Sequence, residues 1–325
     1  MERNTLEVSH LRASFFTLRG EVKAVNDVSF AVPEGKIVGI VGESGCGKSV
    51  TAKAIMGLIA YPGRILGGRV LLDGMDILKM PERDKRALRG SKMSMIFQEP
   101  MTSLNPVIRV GRQVEEAILL HERVSRAEAS RRSVEILEAV GVAEAEKRCR
   151  CYPHQLSGGL RQRVMIAMAM VLKPRLLIAD EPTTALDVTV EAQILHLMRT
   201  LRDRGTSILL ISHNLGVIAQ VCDEVNVMYA GQIVEHADTL TLFDDPLHPY
   251  TKGLLNAVRS LGRGGETLDT IPGVVPNLLH LPAGCAFSLR CGACSADCGA
   301  LAPPVVTAGE GHTVRCRAVS QEERV

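Results

Sequence analysis

VGESGCGKSV, residues 41–50, lies between an apolar run, KIVGI, and a run of helical character, TAKAIMGLI. Three glycines, a lysine and two serines fall within eight positions. From Gly42 to Ser49 the pattern is G-x-x-x-x-G-K-[ST]. Glycine freedom lets backbone N–H groups turn inward around phosphate oxygens. The helix expected to begin near Lys48 adds its positive end. Lys48 is placed to reach β- and γ-phosphates, and the Ser49 hydroxyl to ligate Mg²⁺. Gly42, Glu43, Ser44, Gly45, Cys46, Gly47, Lys48, Ser49 and Val50 are therefore candidate nucleotide contacts, Cys46 as a small residue that fits the loop.

Working outward, short apolar runs separated by turn signals fill residues 6–41, as expected of strands joined by tight turns. GGRVLLDGMDI reads as a hairpin and MSMIFQEP as a buried strand running into a loop. Residues 108–148 change to helical periodicity with many charges, a helical insertion in an α/β core. RLLIADEP and TSILLIS are wholly apolar runs of strand length, as central parallel strands require. A helix at about 188–203 between them makes a βαβ unit.

Two more stretches carry chemistry. Asp180 ends the strand LLIAD, where a carboxylate holds Mg²⁺ through water, and Glu181 follows, placed to polarise an attacking water. In LSGGLRQRV, Ser157 caps a helix, and Gly158 and Gly159 open its first N–H groups as a second phosphate-binding device. Two such devices with one lysine loop suit a nucleotide shared with a partner.

The composition, 46% hydrophobic and 23% charged, belongs to a globular chain. The longest apolar run, Val164–Leu172, is nine residues, half of what a bilayer needs. MERNTLEVSH has no apolar segment of a signal peptide, so a cytosolic place is expected. The formal charge of +2 argues neither for nor against nucleic acid.

Taken together, the motifs resemble the ATPase subunits of ATP-binding-cassette (ABC) transporters. GESGCGKS is similar to their Walker A, LLIADE to their Walker B, LSGGLRQ to their signature, IFQEP to the Q-loop with Gln98, ALD to the D-loop with Asp187, and ISHN to the H-loop with His213. QEPMTSLNPV, YPHQLSGGLRQRV, DEPTTALDVTV, HPYTKGLL and the tail IPGVVPNLLHLPAGCAFSLRC resemble the dipeptide/oligopeptide importer branch. Leu160 and Asn214 depart from that branch, which usually has Met and Asp there.

The resemblance implies an ABC-type α/β nucleotide-binding domain over 1–245 with an antiparallel β subdomain and an inserted helical subdomain at about 105–170. A small cysteine-containing extension follows at 246–325, with the boundary near 245–262. It implies a head-to-tail pair of ATPases, with ATP between one chain's Gly42–Ser49 and the other's Ser157, Gly158 and Gly159, joined by Gln162 and Asp187. Glu181, His213, Gln98 and Lys48 are the implied catalytic set; Ser49, Gln98 and Asp180 the Mg²⁺ set; Phe15 the adenine-stacking aromatic, with Phe16 its rival. The implied partners are a second, related ATPase, two membrane permeases and an extracytoplasmic solute-binding protein, with no nucleic acid. The implied location is the cytoplasmic face of the membrane. Import of di- or oligopeptides is the expected function. The same machine carrying nickel, glutathione or another small solute, a soluble ABC ATPase of DNA repair or translation control, and a redox-sensing regulator are the alternatives.

Five of nine cysteines lie between Cys285 and Cys316. Cys285, Cys291, Cys298 and Cys316 follow C-x₅-C-x₆-C-x₁₇-C in a Gly/Pro-rich tail with few residues able to build a core, so a bound metal would hold it. The family resemblance points to [4Fe–4S]. Zn²⁺ and unliganded thiols remain open, and Cys294, which makes C-x₂-C with Cys291, stands as a substitute ligand.

Overall fold

The computed structural model describes residues 3–98, 103–184, 186–261 and 271–319. Three sequence expectations touch positions outside the described residues: the stretch 99–102 after Gln98, Ala185 of the ALD triplet, and most of the Gly-rich run at 262–270. The chain forms two compact units. One is built on Lys79–Ile211 with two short earlier stretches; the other on Leu6–Ala31, Ile37–Leu78 and the residues from Ser212 onward.

In the first unit, Met93–Ile96, Leu176–Asp180 and Ser207–Ser212 lie side by side as parallel strands, Met95 opposite Ile178 and Ile178 opposite Leu209. Every residue of the three is buried, which explains their unbroken apolar runs. The helix Val188–Asp203 links two of them, as the sequence pattern predicts. The helices Val110–Leu119, Arg126–Ala139, Ala145–Cys149 and Gly158–Met170 form the inserted layer. Val114, Ile118, Ala129 and Val171 make its core, with Ile136 and Leu172 packed on them. Ser125 caps the second helix by accepting the Glu128 N–H, and Arg131 reaches Glu128 and Glu135 on its solvent side.

The second unit holds an antiparallel sheet in the order Gly20–Pro33, Asn4–Thr17, Gly63–Leu72, Met75–Asp76. It also holds Ile37–Val41 paired in parallel with Glu224–Tyr229, which pairs antiparallel with Gln232–Asp238. Ile37–Val41 is wholly buried and delivers the chain into the glycine-rich loop, and the helix Lys48–Ile55 leaves it.

The tail differs from the expectation of a coreless segment. Val305–Gly309 and His312–Arg315 form a hairpin, and its second strand pairs with Gln232–Asp238. Leu247, Val306, Val314 and Cys316 make a small apolar core beneath it. Buried Glu235 accepts the N–H groups of Leu247 and His248 and contacts His312 Nε2 at 2.9 Å. Hydrophobic burial and strand pairing thus hold this hairpin on the sheet. Among the described residues no helix is long and apolar enough to cross a membrane.

Candidate functional site

The glycine-rich loop has its shape forced on it by neighbouring backbone. Gly47 has φ +111°, and a Cβ there would sit 2.2 Å from the carbonyl oxygen of Ala24. Gly42 is as tight: an added Cβ would lie 2.1 Å from the Met228 carbonyl oxygen. No side chain fits either place. Ser44 and Gly45, between them, are exposed. Lys48 is buried; its Nζ donates to the carbonyls of Gly42 at 2.7 Å and Glu43 at 3.0 Å. Those bonds curl the loop around the ammonium, as a phosphate cradle requires. Cys46 is fully buried, and burial pushes its thiol pKa up, which leaves it an inert filler. Ser49 and Val50 are half-buried in the first turn of the helix.

In the other unit the carboxylates stand at a strand end. Asp180 closes the strand Leu176–Asp180 and is 2% exposed. Glu181 follows with φ +49°, a left-handed conformation uncommon for a residue other than glycine, and its N–H donates to the Ile211 carbonyl at 2.9 Å. The turn aims the side chain: Glu181 Oε2 accepts from Gln98 Nε2 at 2.9 Å and from Thr184 Oγ1 at 3.0 Å. A carboxylate held by these two donors has a set direction, which a general base needs. Gln98, predicted from IFQEP, is therefore a direct neighbour of Glu181. Thr184 carries no signal of its own in sequence, since one threonine in PTTALD looks like another.

Ser157 caps the helix Gly158–Met170, accepting the Leu160 N–H at 3.4 Å, and Ser157 and Gly158 are exposed. A Cβ on Gly158 would meet nothing within 4 Å, whereas one on Gly159 would approach Val190 Cγ1 at 3.1 Å. Gln162 faces inward: it is 2% exposed, and its Nε2 donates to the Pro182 carbonyl at 2.7 Å. It ties the signature helix to the loop after Glu181. Asp187 is exposed and caps the helix Val188–Asp203 through the Val190 N–H at 2.9 Å.

His213 is exposed just beyond the strand Ser207–Ser212, and Asn214 caps the next helix. Phe15 is half-buried opposite Gly63, where a Cβ would touch its ring at 2.7 Å. Phe16 presents its ring to solvent, with the Arg64 guanidinium 5.7 Å from its centre.

The tail thiols influence one another's titration. Burial raises the Cys285 thiol pKa, and Cys316, Cys291 and Cys298 add to the rise; Cys291 responds likewise, with Cys294 among its perturbers. The Cys285 N–H donates to the Cys298 carbonyl at 2.6 Å. Hydrogen bonding between Cys298 and Ser295 holds the Cys298 thiol pKa below its ordinary value. Among the described residues, however, no three His, Cys, Asp or Glu side chains are arranged to hold a metal ion. The thiols as placed do not make the closed tetrahedral shell of a zinc site.

Arg290 lies inside the tail stretch IPGVVPNLLHLPAGCAFSLRC, yet the sequence pattern gives it no role of its own. Its guanidinium makes a two-pronged ion pair with Glu43 of the glycine-rich loop, Nη1 to Oε2 at 2.7 Å and Nη2 to Oε1 at 3.0 Å.

Residues 25–184 match the family model described as ABC transporter, and residues 234–298 the model described as oligopeptide/dipeptide transporter, C-terminal region. The chain is 53% identical over 312 residues to the oligopeptide transport ATP-binding protein OppD of Salmonella typhimurium, spanning 96% of this chain and 92% of that one. It is 47% identical over 319 residues to the oligopeptide transport ATP-binding protein AppD of Bacillus subtilis, spanning 98% and 97%. The fold is similar to that of a dimeric bacterial ABC transporter cassette, with TM-score 0.66 and 25% identity over 72% of this chain and 98% of that one.

Proposed function

The chain belongs to the ABC transporter family, within its oligopeptide-transport ATP-binding proteins, and on that premise we propose that it hydrolyses ATP to energise uptake of di- and oligopeptides. The observation that carries the reading is likeness along 96% of the chain to an oligopeptide transport ATP-binding protein. Glu181, aimed by Gln98 and Thr184, supports the hydrolytic half of it.

Each residue then has a task. Lys48 and the N–H groups of Gly42–Ser49 bind the β- and γ-phosphates. Asp180, a carboxylate buried at a strand end, offers the oxygen donor Mg²⁺ prefers, and Ser49 and Gln98 complete its protein ligands. Mg²⁺, when bound, neutralises phosphate charge. Glu181 polarises the attacking water and His213 contacts the γ-phosphate. Phe16, whose ring is open to solvent, suits adenine stacking better than Phe15. Exposed Ser157 and Gly158 serve the nucleotide held by a second ATPase, and Asp187 shapes the surface between the two. Gln162 supports the signature helix from within rather than touching nucleotide.

The chain works at the cytoplasmic face of the membrane, docked on two permeases and fed by an extracytoplasmic binding protein. The division at about residue 245, with a helical subdomain at about 105–170, is retained as the functional organisation. For the tail, [4Fe–4S] stays the candidate group on the C-x₅-C-x₆-C-x₁₇-C pattern of Cys285, Cys291, Cys298 and Cys316, whose thiols perturb one another; that no three such side chains are arranged to hold a metal ion among the described residues weighs against a cluster and zinc alike. Its role is structural, and no catalytic step passes through it.

Purification of the tagged chain from its native membrane tests the function. Two permeases and a second ATPase are expected to come with it. The complex in vesicles is expected to take up labelled oligopeptide when ATP and binding protein are supplied. Uptake of nickel or glutathione in place of peptide would move the reading to the alternative cargo; a chain that leaves the membrane alone would refute the importer.

A further inference from the structure

Arg290 lies 247 residues after Glu43 along the chain, yet the two side chains are joined by parallel N–H to oxygen bonds of 2.7 and 3.0 Å. The guanidinium is only 4% exposed, and every nitrogen has a task. Nε donates to the Pro272 carbonyl at 2.9 Å, Nη2 also reaches the Ile271 carbonyl, and Nη1 the Tyr229 hydroxyl at 3.3 Å. The rings of Tyr229 and Phe287 flank it at 5.8 and 5.9 Å. A cation held from so many sides cannot wander; it is a fixed point against which Glu43 is set.

The glycine-rich loop is held at the same residue from a second direction. The Glu43 N–H donates to the Tyr250 hydroxyl at 2.9 Å, and Tyr250 is fully buried against Tyr229 and Phe287. The Glu43 carbonyl accepts from Lys48. Side chain, N–H and carbonyl of this one residue are all engaged, two of the three by the chain beyond residue 228. Electrostatics gives the pairing a purpose. A loop built to surround a polyanion carries a carboxylate of its own, and an unpaired negative charge there would oppose phosphate. The bidentate guanidinium neutralises that charge and turns the carboxylate toward the tail.

We propose that Arg290 is a positioning residue for ATP: through Glu43 it fixes and neutralises the phosphate loop, which makes the cysteine-bearing tail a working part of the nucleotide site. The proposal rests on the reading of Gly42–Ser49 as the ATP loop.

Binding of MgATP to the full chain, by calorimetry or a fluorescent analogue, tests it. Arg290→Ala is expected to weaken binding about tenfold, the loss expected when one charged hydrogen-bonded partner is removed. Removing the stranded carboxylate as well, in Glu43→Ala/Arg290→Ala, is expected to restore most of the affinity, which a merely structural arginine would not allow. Arg290→Lys keeps charge and stem and so spares the fold, but loses the two-pronged geometry; about threefold weaker binding is expected. In the assembled ATPase, Arg290→Lys raises KM for ATP and leaves kcat near wild type. Wild-type affinity in Arg290→Lys, or single-variant losses that simply add in the double variant, overturn the proposal. Lys48→Ala separates the two readings: if it binds MgATP as wild type does, the loop assignment itself fails, whereas loss of binding there beside a silent Arg290→Lys refutes only the tail's part.

Discussion

Replacing Gly158 by alanine separates what the chain needs to fold from what it needs to turn over ATP. Gly158 is exposed at the first position of the helix Gly158–Met170, and an added Cβ meets nothing within 4 Å. Alanine therefore introduces no clash, and it restricts the unfolded chain more than glycine does. A gain of up to about 0.5–1 kcal/mol in stability is expected. Gly47→Ala supplies the contrast. There φ is +111° and the new methyl would stand 2.2 Å from a backbone oxygen. Left-handed strain of about 1–2 kcal/mol adds to an overpacking cost of about 1–3 kcal/mol, a large part of a typical stability of about 5–15 kcal/mol. Denaturant unfolding of the isolated chain measures both. In the assembled complex the order reverses its meaning: Gly158→Ala, though stable, is expected to lose most ATP turnover, because its methyl projects where the partner's nucleotide is proposed to sit. A destabilised Gly158→Ala would refute the open surface at the signature. A stable variant with wild-type turnover in the complex would refute the shared-nucleotide role.

Glu181→Gln is expected to lower turnover by about 10²–10⁴ while leaving nucleotide affinity intact, since the residue acts on water; single-turnover kinetics with a parallel binding titration checks this. The isolated chain is expected to hydrolyse ATP far more slowly than the complex, and equal rates per active site would contradict the two-chain sandwich. His248 is buried, and desolvation pushes its imidazole pKa down to about 4, against Glu235, which acts in the opposite sense. Between the unfolded value near 6.5 and about 4 the unfolded chain binds the extra proton, so stability is full above 6.5 and falls with pH through that window, by on the order of 3 kcal/mol. The slope of unfolding free energy against pH is expected to flatten in His248→Asn. Anaerobically purified protein is expected to be brown, with absorption near roughly 400 nm and about four irons per chain; colourless protein without iron would refute the tail cluster.

The strand–glycine loop–helix order around Lys48, the strand that ends in Asp180 just before Glu181, the helix capped by Ser157 and the apolar central strands were all legible in the sequence. Each is defined within a dozen residues by backbone freedom, capping chemistry or hydrophobic run length, and these act locally. Gln98 and His213 were found only because they stood in a known order with those motifs; one exposed glutamine and one exposed histidine carry no pattern of their own. What tertiary structure decided lies at long range. Gln162 reads as a signature residue, yet its amide is used on the Pro182 carbonyl inside the chain. Phe15 and Phe16 are equivalent on paper, and the alternation of the strand Asn4–Thr17 turns one toward Gly63 and the other to solvent. The tail, coreless by composition, acquires a core because His312–Arg315 adds to a sheet edge formed by Gln232–Asp238. Arg290 meets Glu43 across 247 residues. Local sequence sets which conformations a segment prefers, but contacts between distant segments arise only when sheet registers close, and no local pattern encodes them.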